Sequence, residues 1–456
     1  MRLRRKFAVI AAVAVAAGTM GLPSQASAAS LGGGGASFLA NMMDICAAQY
    51  NRNTAFNTGS DVVTYASVGS SAGKSGFANG TYKFGGSESA YTSGAPANLV
   101  YVPLVGGAIA IGYRVDGLAP AGAQVRLTGE LVAKIFAGQI KKWNDPAIAE
   151  VNKASTVAKK LTATKDGVTV TAKKIASNVQ FTVNMNAAAA KKYRNAKVVI
   201  TSATIGGAAK TLLAQKYKAK ITKSATYAAK TVYTVKAGRT TVGVLAVETV
   251  KDGETITFPD TPIRVVHRSD GSGTTNNFAN YLNKSFPAIW TKPTNDAFGS
   301  AFPGSLPTDG TFQSAKGNEG VSNYVRDNNG SITYAELSYL DERGIKAAAV
   351  KNPGGRFVTP SPTTSAVWFE GAQVDASGLV AQDYAYTAGD AYPINAMSYG
   401  LSSSASSTEN GLVKRYFSYF LNQCAPKNAA GAGYTPLTET FLAKALAQVA
   451  KINGGA

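Results

Sequence analysis

The run Arg268-Ser269-Asp270-Gly271-Ser272-Gly273-Thr274 gathers residue types suited to holding an oxyanion. It follows a β-type stretch (263–266) and precedes a helical one (276–282), so it predicts a strand, a glycine-rich turn and a helix start. The first N–H groups of a helix have no partner inside it, and the helix dipole favours negative charge there. Ser272 and Thr274 add hydroxyl donors, and Gly273 lets an anion come close to the backbone. Arg268 offers a rigid fork of donors, with Asp270 near enough in sequence to steady it. The bland alternative is a surface Arg–Asp pair beside an ordinary helix cap. Two more turns have the same chemistry, Ala36-Ser37-Phe38 after four glycines and Gly69-Ser70-Ser71-Ala72-Gly73. Either alone reads more simply as a cap; three such helix starts are a less probable accident.

Other chemistries fit less well. Gly69-Ser70-Ser71-Ala72-Gly73-Lys74-Ser75 looks like a nucleotide P-loop, but three residues separate its glycines where four are required. Asp327, Asn329, Gly330, Ile332 and Glu336 fit positions 3, 5, 6, 8 and 12 of a calcium-binding EF-hand loop, yet Val325 stands first and cannot ligate. His267 is the sole imidazole, at a strand end beside Arg268, and reads as structural. One His and two distant Cys leave structural zinc without a ligand set. Neither a metal set nor a nucleophile with an activating base is evident, so no catalytic residue, metal or cofactor is assigned. The chemistry points to binding.

The elements that must position these residues sit in a chain of 456 residues, 45% hydrophobic and only 16% charged, long enough to bury a large core. Its formal charge of +20 invites a nucleic-acid reading, but the charge is concentrated. Residues 153–260 carry 19 Lys/Arg against five acids, residues 1–28 carry four basic groups and no acid, and the remainder is nearly neutral. Aromatics in the basic block (Phe181, Tyr193, Tyr217, Tyr227, Tyr233, Phe258) are sparse and not interleaved with Arg as stacking platforms would be.

Residues 1–28 read as an export signal: a basic start (Arg2, Arg4, Arg5, Lys6), an apolar run at 7–17, and a cleavage site at Ala26-Ser27-Ala28. The general secretory route is favoured, because Arg4-Arg5-Lys6-Phe7 carries only part of a twin-arginine motif. No Cys lies near the cleavage site, so no lipid anchor is expected, and no later run reaches the ~20 apolar residues of a membrane span. The mature chain is expected to be soluble and exported. In an oxidising compartment Cys46 and Cys424 form either a disulfide or two buried thiols.

Strand, Gly-rich turn and helix recur along the chain, which argues an α/β class with a largely parallel sheet. β-type runs lie at 62–65, 99–113, 263–266, 332–334 and 392–401, the second nearly uncharged, as in a strand buried on both faces. Helical spacing recurs at 39–50, 127–149 (helix–turn–helix), 320–324, 411–421 and 438–452. The four glycines at 32–35 receive no element. The basic block differs: period-2 alternation at Val168/Val170 and Phe181/Val183/Met185, β-type runs at 198–200, 232–235 and 242–250, and hairpin signals at Asp166-Gly167 and Asp252-Gly253. One helical stretch (187–195) interrupts it. It reads as an inserted, mostly β module.

Taken in order, several of these segments match a family. Gly35-Ala36-Ser37-Phe38, Gly69-Ser70-Ser71-Ala72-Gly73, Phe84-Gly85-Gly86-Ser87-Glu88, Lys141-Lys142-Trp143-Asn144-Asp145 and Arg268 through Thr274 resemble the periplasmic phosphate-binding proteins of bacterial phosphate ABC importers. Gly317-Asn318-Glu319-Gly320-Val321 and Tyr392-Pro393-Ile394 follow in the family's order. The resemblance covers roughly 32–150 and 261–425, not the basic block. It implies a two-lobed clamshell of the type II periplasmic-binding-protein class, with two crossover strands at 99–107 and 392–396. The implied division is 1–28 signal peptide, 31–104 and 394–456 one lobe, 105–152 and 261–393 the other, and 153–260 the insertion. This topology puts Cys46 and Cys424 in one lobe and so favours their pairing.

The resemblance further implies phosphate contacts at Ser37, Phe38 (through its N–H), Ser70, Glu88, Arg268, Ser272, Gly273 and Thr274, with Asp270 steadying the arginine. Glu88 stands where the family usually has Asp, which keeps the charge and adds a methylene. The implied function is an extracytoplasmic, high-affinity inorganic phosphate receptor, monomeric, without cofactor, serving the membrane permease subunits of an ABC importer, in the periplasm or outside the cell. The alternatives are a receptor for another oxyanion such as sulfate or molybdate, and a secreted phosphatase or phosphoryl-transfer enzyme. Residues 153–260 read first as a solvated decorative module. The functional alternative is attachment to an anionic envelope polymer or membrane surface, ahead of nucleic acid.

Overall fold

The computed structural model describes residues 29–158, 161–175, 178–204, 209–216, 220–226, 231–246, 249–252 and 255–455. The segment read as an export signal and Gly253 of the second hairpin signal lie outside the described residues. Eight strands form the main sheet: β1 (Ser30–Gly35), β2 (Val62–Ser67), β3 (Phe84–Ser87), β4 (Leu99–Tyr113), β5 (Arg264–Arg268), β6 (Phe312–Ala315), β7 (Ser331–Glu336) and β8 (Asn395–Ser403). Their order is β6-β5-β7-β4-β8-β3-β1-β2, and a short ninth strand, Lys346–Ala347, pairs with β4 off this path.

The expectation of a largely parallel sheet holds only at its two sides. β1 pairs parallel with β2 and β3, and β5 parallel with β6 and β7. The centre is antiparallel: β4 pairs with β8 and with β7, and β8 with β3. The reason is β4 itself. Its fifteen residues run through both lobes, buried along almost their whole length, and β8 returns beside it from Asn395 opposite Ala108 to Ser403 opposite Leu99. Two parallel half-sheets are thus joined by one antiparallel pair of crossing strands, and the molecule is an α/β clamshell of two lobes.

β1 is the strand with no signal in the sequence, because glycine is a poor strand former. It exists because its neighbours need its missing side chains. A Cβ on Gly33 would lie 2.1 Å from the Phe84 ring, and one on Gly34 would lie 2.5 Å from the Tyr82 ring.

Four helices begin where parallel strands end: α1 (Ser37–Tyr50) after β1, α2 (Ser70–Ala78) after β2, α3 (Gly273–Ser285) after β5 and α4 (Gly317–Asp327) after β6. Carboxyl ends of parallel strands are where ligands bind in open α/β sheets. Cys46 in α1 and Cys424 are bonded, with Cα atoms 5.6 Å apart.

One implied boundary does not match the packing. Residues 362–384 are expected with the second lobe, yet Trp368, Phe369 and Val374 bury against Tyr101, Tyr399 and Phe441, all in segments expected in the first. Tyr384 meanwhile stacks edge-on against Tyr281 of α3. This stretch straddles the two lobes, because the apolar face of its helix (Pro362–Phe369) covers the crossing strands themselves.

The basic block is a sandwich of two four-stranded antiparallel sheets. One runs Lys220–Thr226, Asn178–Met185, Val168–Ile175, Leu161–Lys165; the other runs Lys210–Lys216, Lys197–Thr204, Thr231–Ala237, Thr240–Ala246. The alternation at Val168/Val170 and Phe181/Val183 faces inward onto Val198, Ile200 and Val235, a core of its own. Ser155–Ala158 and Thr249–Asp252 pair antiparallel and tie the module back to the body. The run expected at 242–250 is therefore two strands, one in the sandwich and one in this neck.

Candidate anion-binding site

The four helix starts form one connected set of contacts. Ser37, opening α1, accepts hydrogen bonds at its hydroxyl from the N–H and the side-chain amide of Asn318 in α4, each at 3.0 Å. The N–H of Gly317, opening α4, donates to Asp270 Oδ1 at 2.9 Å. Asp270 takes a two-pronged bond from Arg268, Nε to Oδ1 at 2.7 Å and Nη2 to Oδ2 at 2.5 Å. Arg268 Nη1 reaches the Thr274 hydroxyl at 3.4 Å. The N–H of Gly273, opening α3, donates to Ser70 Oγ at 2.9 Å, and Ser70, opening α2, donates to Glu88 Oε2 at 3.2 Å. Segments spread over 281 positions of sequence meet here, with Ser37, Ser70, Glu88, Arg268, Ser272 and Thr274 all buried.

Local sequence explains why the helix starts stay available. Neither α1 nor α2 has a side-chain cap, since Ala36 and Gly69 precede them. The N–H groups of Ser37 and Phe38 therefore belong to an uncapped first turn, and Phe38 anchors that turn through a fully buried ring packed edge-on against Tyr434. Ser272 does cap its helix: its hydroxyl accepts from the Thr275 N–H at 3.1 Å, which leaves its own hydrogen to donate. The structure brings all eight expected contact residues and Asp270 into this region.

The electrostatics are sparse and directed. Arg268 is the buried cation, and Asp270 holds it. Burial pushes the Asp270 carboxyl up, but the bonds from Arg268 and the Gly317 N–H outweigh it and hold it below the usual carboxylate range. Glu88 goes the other way. Burial raises its carboxyl to about 7, against the lowering effects of the Ser398 hydroxyl, the Arg268 charge and the Ser70 hydroxyl. Both of its oxygens are engaged, Oε1 by Ser398 at 2.8 Å and Oε2 by Ser70. His267 stacks on Phe298 with its Nδ1 3.0 Å from the Arg268 carbonyl, a packed ring with no carboxylate or serine partner among the described residues.

Sequence reasoning missed three residues. Ser398, on β8, comes from the opposite end of the chain and carried no motif. Asn277 donates to the Glu88 carbonyl at 2.7 Å and so sets the height of that carboxylate; its place one turn into α3 was the available signal. Asn318 lay inside a matched motif but received no role. Glu336, noted in the calcium-loop near miss, is fully buried and bonds the N–H and hydroxyl of Ser338 instead.

Comparison with known proteins agrees with this architecture. A family model described as a PBP superfamily domain matches residues 22–258 and 162–423. A protein named phosphate-binding protein PstS from Xylella fastidiosa (strain Temecula1) is 26% identical over 382 residues, which cover 82% of this chain and 72% of the relative. The protein of the same name from Pasteurella multocida (strain Pm70) is 24% identical over 442 residues, 96% of this chain and 94% of the relative. The solved structure of a high affinity periplasmic phosphate-binding protein (PfluDING), bound with phosphate, has the same fold: TM-score 0.55 at 18% identity, over 92% of this chain and 93% of that one. With the matched regions spanning most of its length, this chain belongs to the PBP superfamily.

Proposed function

We propose that the chain is an extracytoplasmic receptor for inorganic phosphate that closes its lobes on the anion and delivers it to the membrane permease subunits of an ABC importer. The observation that carries this is the make-up of the cleft: one buried guanidinium already held by a carboxylate, one buried acceptor at Glu88, and hydroxyl and main-chain donors from four helix starts. Directed donors, not stacked cations, balance the ligand's charge. Ionised Glu88 is an acceptor only, so it asks the ligand for a proton. Phosphate at neutral pH has one to give. Sulfate has none, and faces a missing bond of about 1–3 kcal/mol together with like-charge repulsion. The relatives named phosphate-binding protein support the same choice.

Calorimetry on the mature chain tests this. Phosphate and arsenate should bind tightly and sulfate should give no measurable heat; equal binding of sulfate or molybdate would transfer the proposal to another oxyanion. Release of phosphate from an ester by the pure protein would favour an enzyme.

The disulfide suits an oxidising compartment, and no helix among the described residues is long and apolar enough to cross a membrane. The disulfide supports a place in the periplasm or outside the cell. The sandwich module attaches the receptor to an anionic envelope polymer. Lys197 and Lys216 lie directly opposite each other on neighbouring strands, a like-charge pair that costs stability and gains nothing inside the fold. Lys173, Lys210, Lys220 and Lys236 are also exposed. The outward face around Thr171, Thr182 and Thr222 is polar, which suits a soluble polyanion better than insertion into lipid.

A further inference from the structure

Asp296 lies in the loop after α3, on the second lobe, and none of the site residues above depends on it for an anion contact. Its Oδ2 nevertheless accepts three donors from the first lobe: Ser71 Oγ at 2.8 Å, Lys74 Nζ at 2.9 Å and Ser89 Oγ at 3.1 Å. Its Oδ1 takes the side-chain amide of Asn276 at 2.9 Å, and its carbonyl takes the N–H of Ser272 at 2.9 Å. One residue therefore grips the first lobe with its carboxylate while bracing the start of α3 with its backbone. Lys74 is held equally firmly, donating also to Ser89 Oγ at 2.9 Å and the Ala90 carbonyl at 3.0 Å. The pair is nearly shielded from water, with side chains 12% and 14% exposed, and it borders an open cavity of about 450 Å³ between the lobes. A further cross-lobe bond, Ser71 N–H to the Gly271 carbonyl at 3.1 Å, lies beside it.

We propose that Asp296 and Lys74 form a clasp that sets how long the lobes stay shut. They are positioning residues: they touch no ligand, do not choose among anions, and raise affinity by stabilising the closed form. All three donors to Oδ2 come from the first lobe, so opening breaks every one of them and leaves a carboxylate without its cation. A partner that populates the binding-competent state raises apparent affinity by the gain in that population. An ion pair this well buried also loses little to salt screening.

This inference rests on the phosphate-receptor reading, and two measurements separate their failures. Stopped-flow phosphate binding should give Asp296→Asn and Lys74→Met release rates at least tenfold above the starting protein. The phosphate-to-sulfate preference of Lys74→Met should be unchanged. Small-angle scattering without ligand should show both variants shifted to a larger radius of gyration. Lys74→Arg, which keeps the charge, should stay within about threefold of the starting protein. Unchanged release and unchanged scattering would overturn the clasp, as would altered anion preference in Lys74→Met. No phosphate binding by the starting protein, with scattering still shifted in the variants, would overturn the receptor reading and leave the clasp standing.

Discussion

Ser70 and Gly273 stand 203 residues apart, yet the Gly273 N–H donates to the Ser70 hydroxyl across the cleft at 2.9 Å. The approach leaves no room for a side chain. A Cβ on Gly273 would lie 2.7 Å from Ser70 Oγ and 2.8 Å from the Glu88 nitrogen, which is backbone and cannot step aside. Gly273→Ala should therefore keep the fold but hold the lobes apart, weakening phosphate at least tenfold by calorimetry. Wild-type affinity in that variant would mean that the contact between α3 and α2 does not matter to binding.

Arg268→Ala should cost phosphate more than tenfold in affinity. It removes the buried cation and strands Asp270, which has burial against it and loses its main stabilising partner. Arg268→Lys should not restore binding, because a single ammonium cannot hold Asp270 with two bonds and still reach Thr274. A lysine variant with full affinity would reduce the arginine to a point charge.

Glu88 should make anion choice depend on pH. Its carboxyl is raised to about 7, so it is a pure acceptor at pH 8.5 and carries a donor hydrogen at pH 5.5. Sulfate titrated at the two values should bind measurably better at the lower one. Glu88→Gln, with a permanent N–H donor, should narrow the phosphate-to-sulfate gap at pH 8.5 and change it little at pH 5.5. A gap that neither pH nor the substitution moves would remove Glu88 from discrimination.

Stability should also fall with rising pH. Glu336 is raised by burial to about 8, so between about 4.5 and 8 the folded chain binds a proton that the unfolded chain has released. Stability from this group is complete below the ordinary glutamate value and is lost as pH climbs through the window. Glu88 adds to the same slope up to about 7. At about 1.4 kcal/mol per pKa unit, the loss from each is on the order of a few kcal/mol. Urea unfolding at pH 5.5 and 8.5 should reveal it, and Glu336→Gln should flatten the dependence; the same slope in that variant would assign it elsewhere.

Excising the sandwich at its neck, between Ser155–Ala158 and Thr249–Asp252, joins strands that already pair and removes a core separate from that of the lobes. Phosphate affinity should change less than threefold. Retention of the full-length chain on immobilised polyphosphate at low salt should vanish in the excised form. Equal retention of both forms would place the polyanion contact outside the module.

Much of this was readable from residue order because it is local. The hydroxyl-and-glycine turns announced helix starts, the fifteen-residue apolar run announced β4, and the alternation at Val168 and Phe181 announced a sandwich face. Asp166-Gly167 turned between two strands as its residue types demand, with both residues at positive φ. β1 was hidden because glycines specify a strand only through the Phe84 and Tyr82 rings that need the space.

What the order of residues determined alone was the set of donors: which segments end in uncapped or hydroxyl-bearing helix starts, and that a single Arg–Asp pair sits among them. Tertiary structure decided what those donors face. Ser398 reaches Glu88 across 310 positions, Asn318 reaches Ser37 across 281, and Asp296 gathers Ser71, Lys74 and Ser89 from the other lobe. Such partners carry no local signature, because a hydrogen bond between distant segments depends on where two crossing strands place whole lobes. No property of either segment by itself encodes that placement.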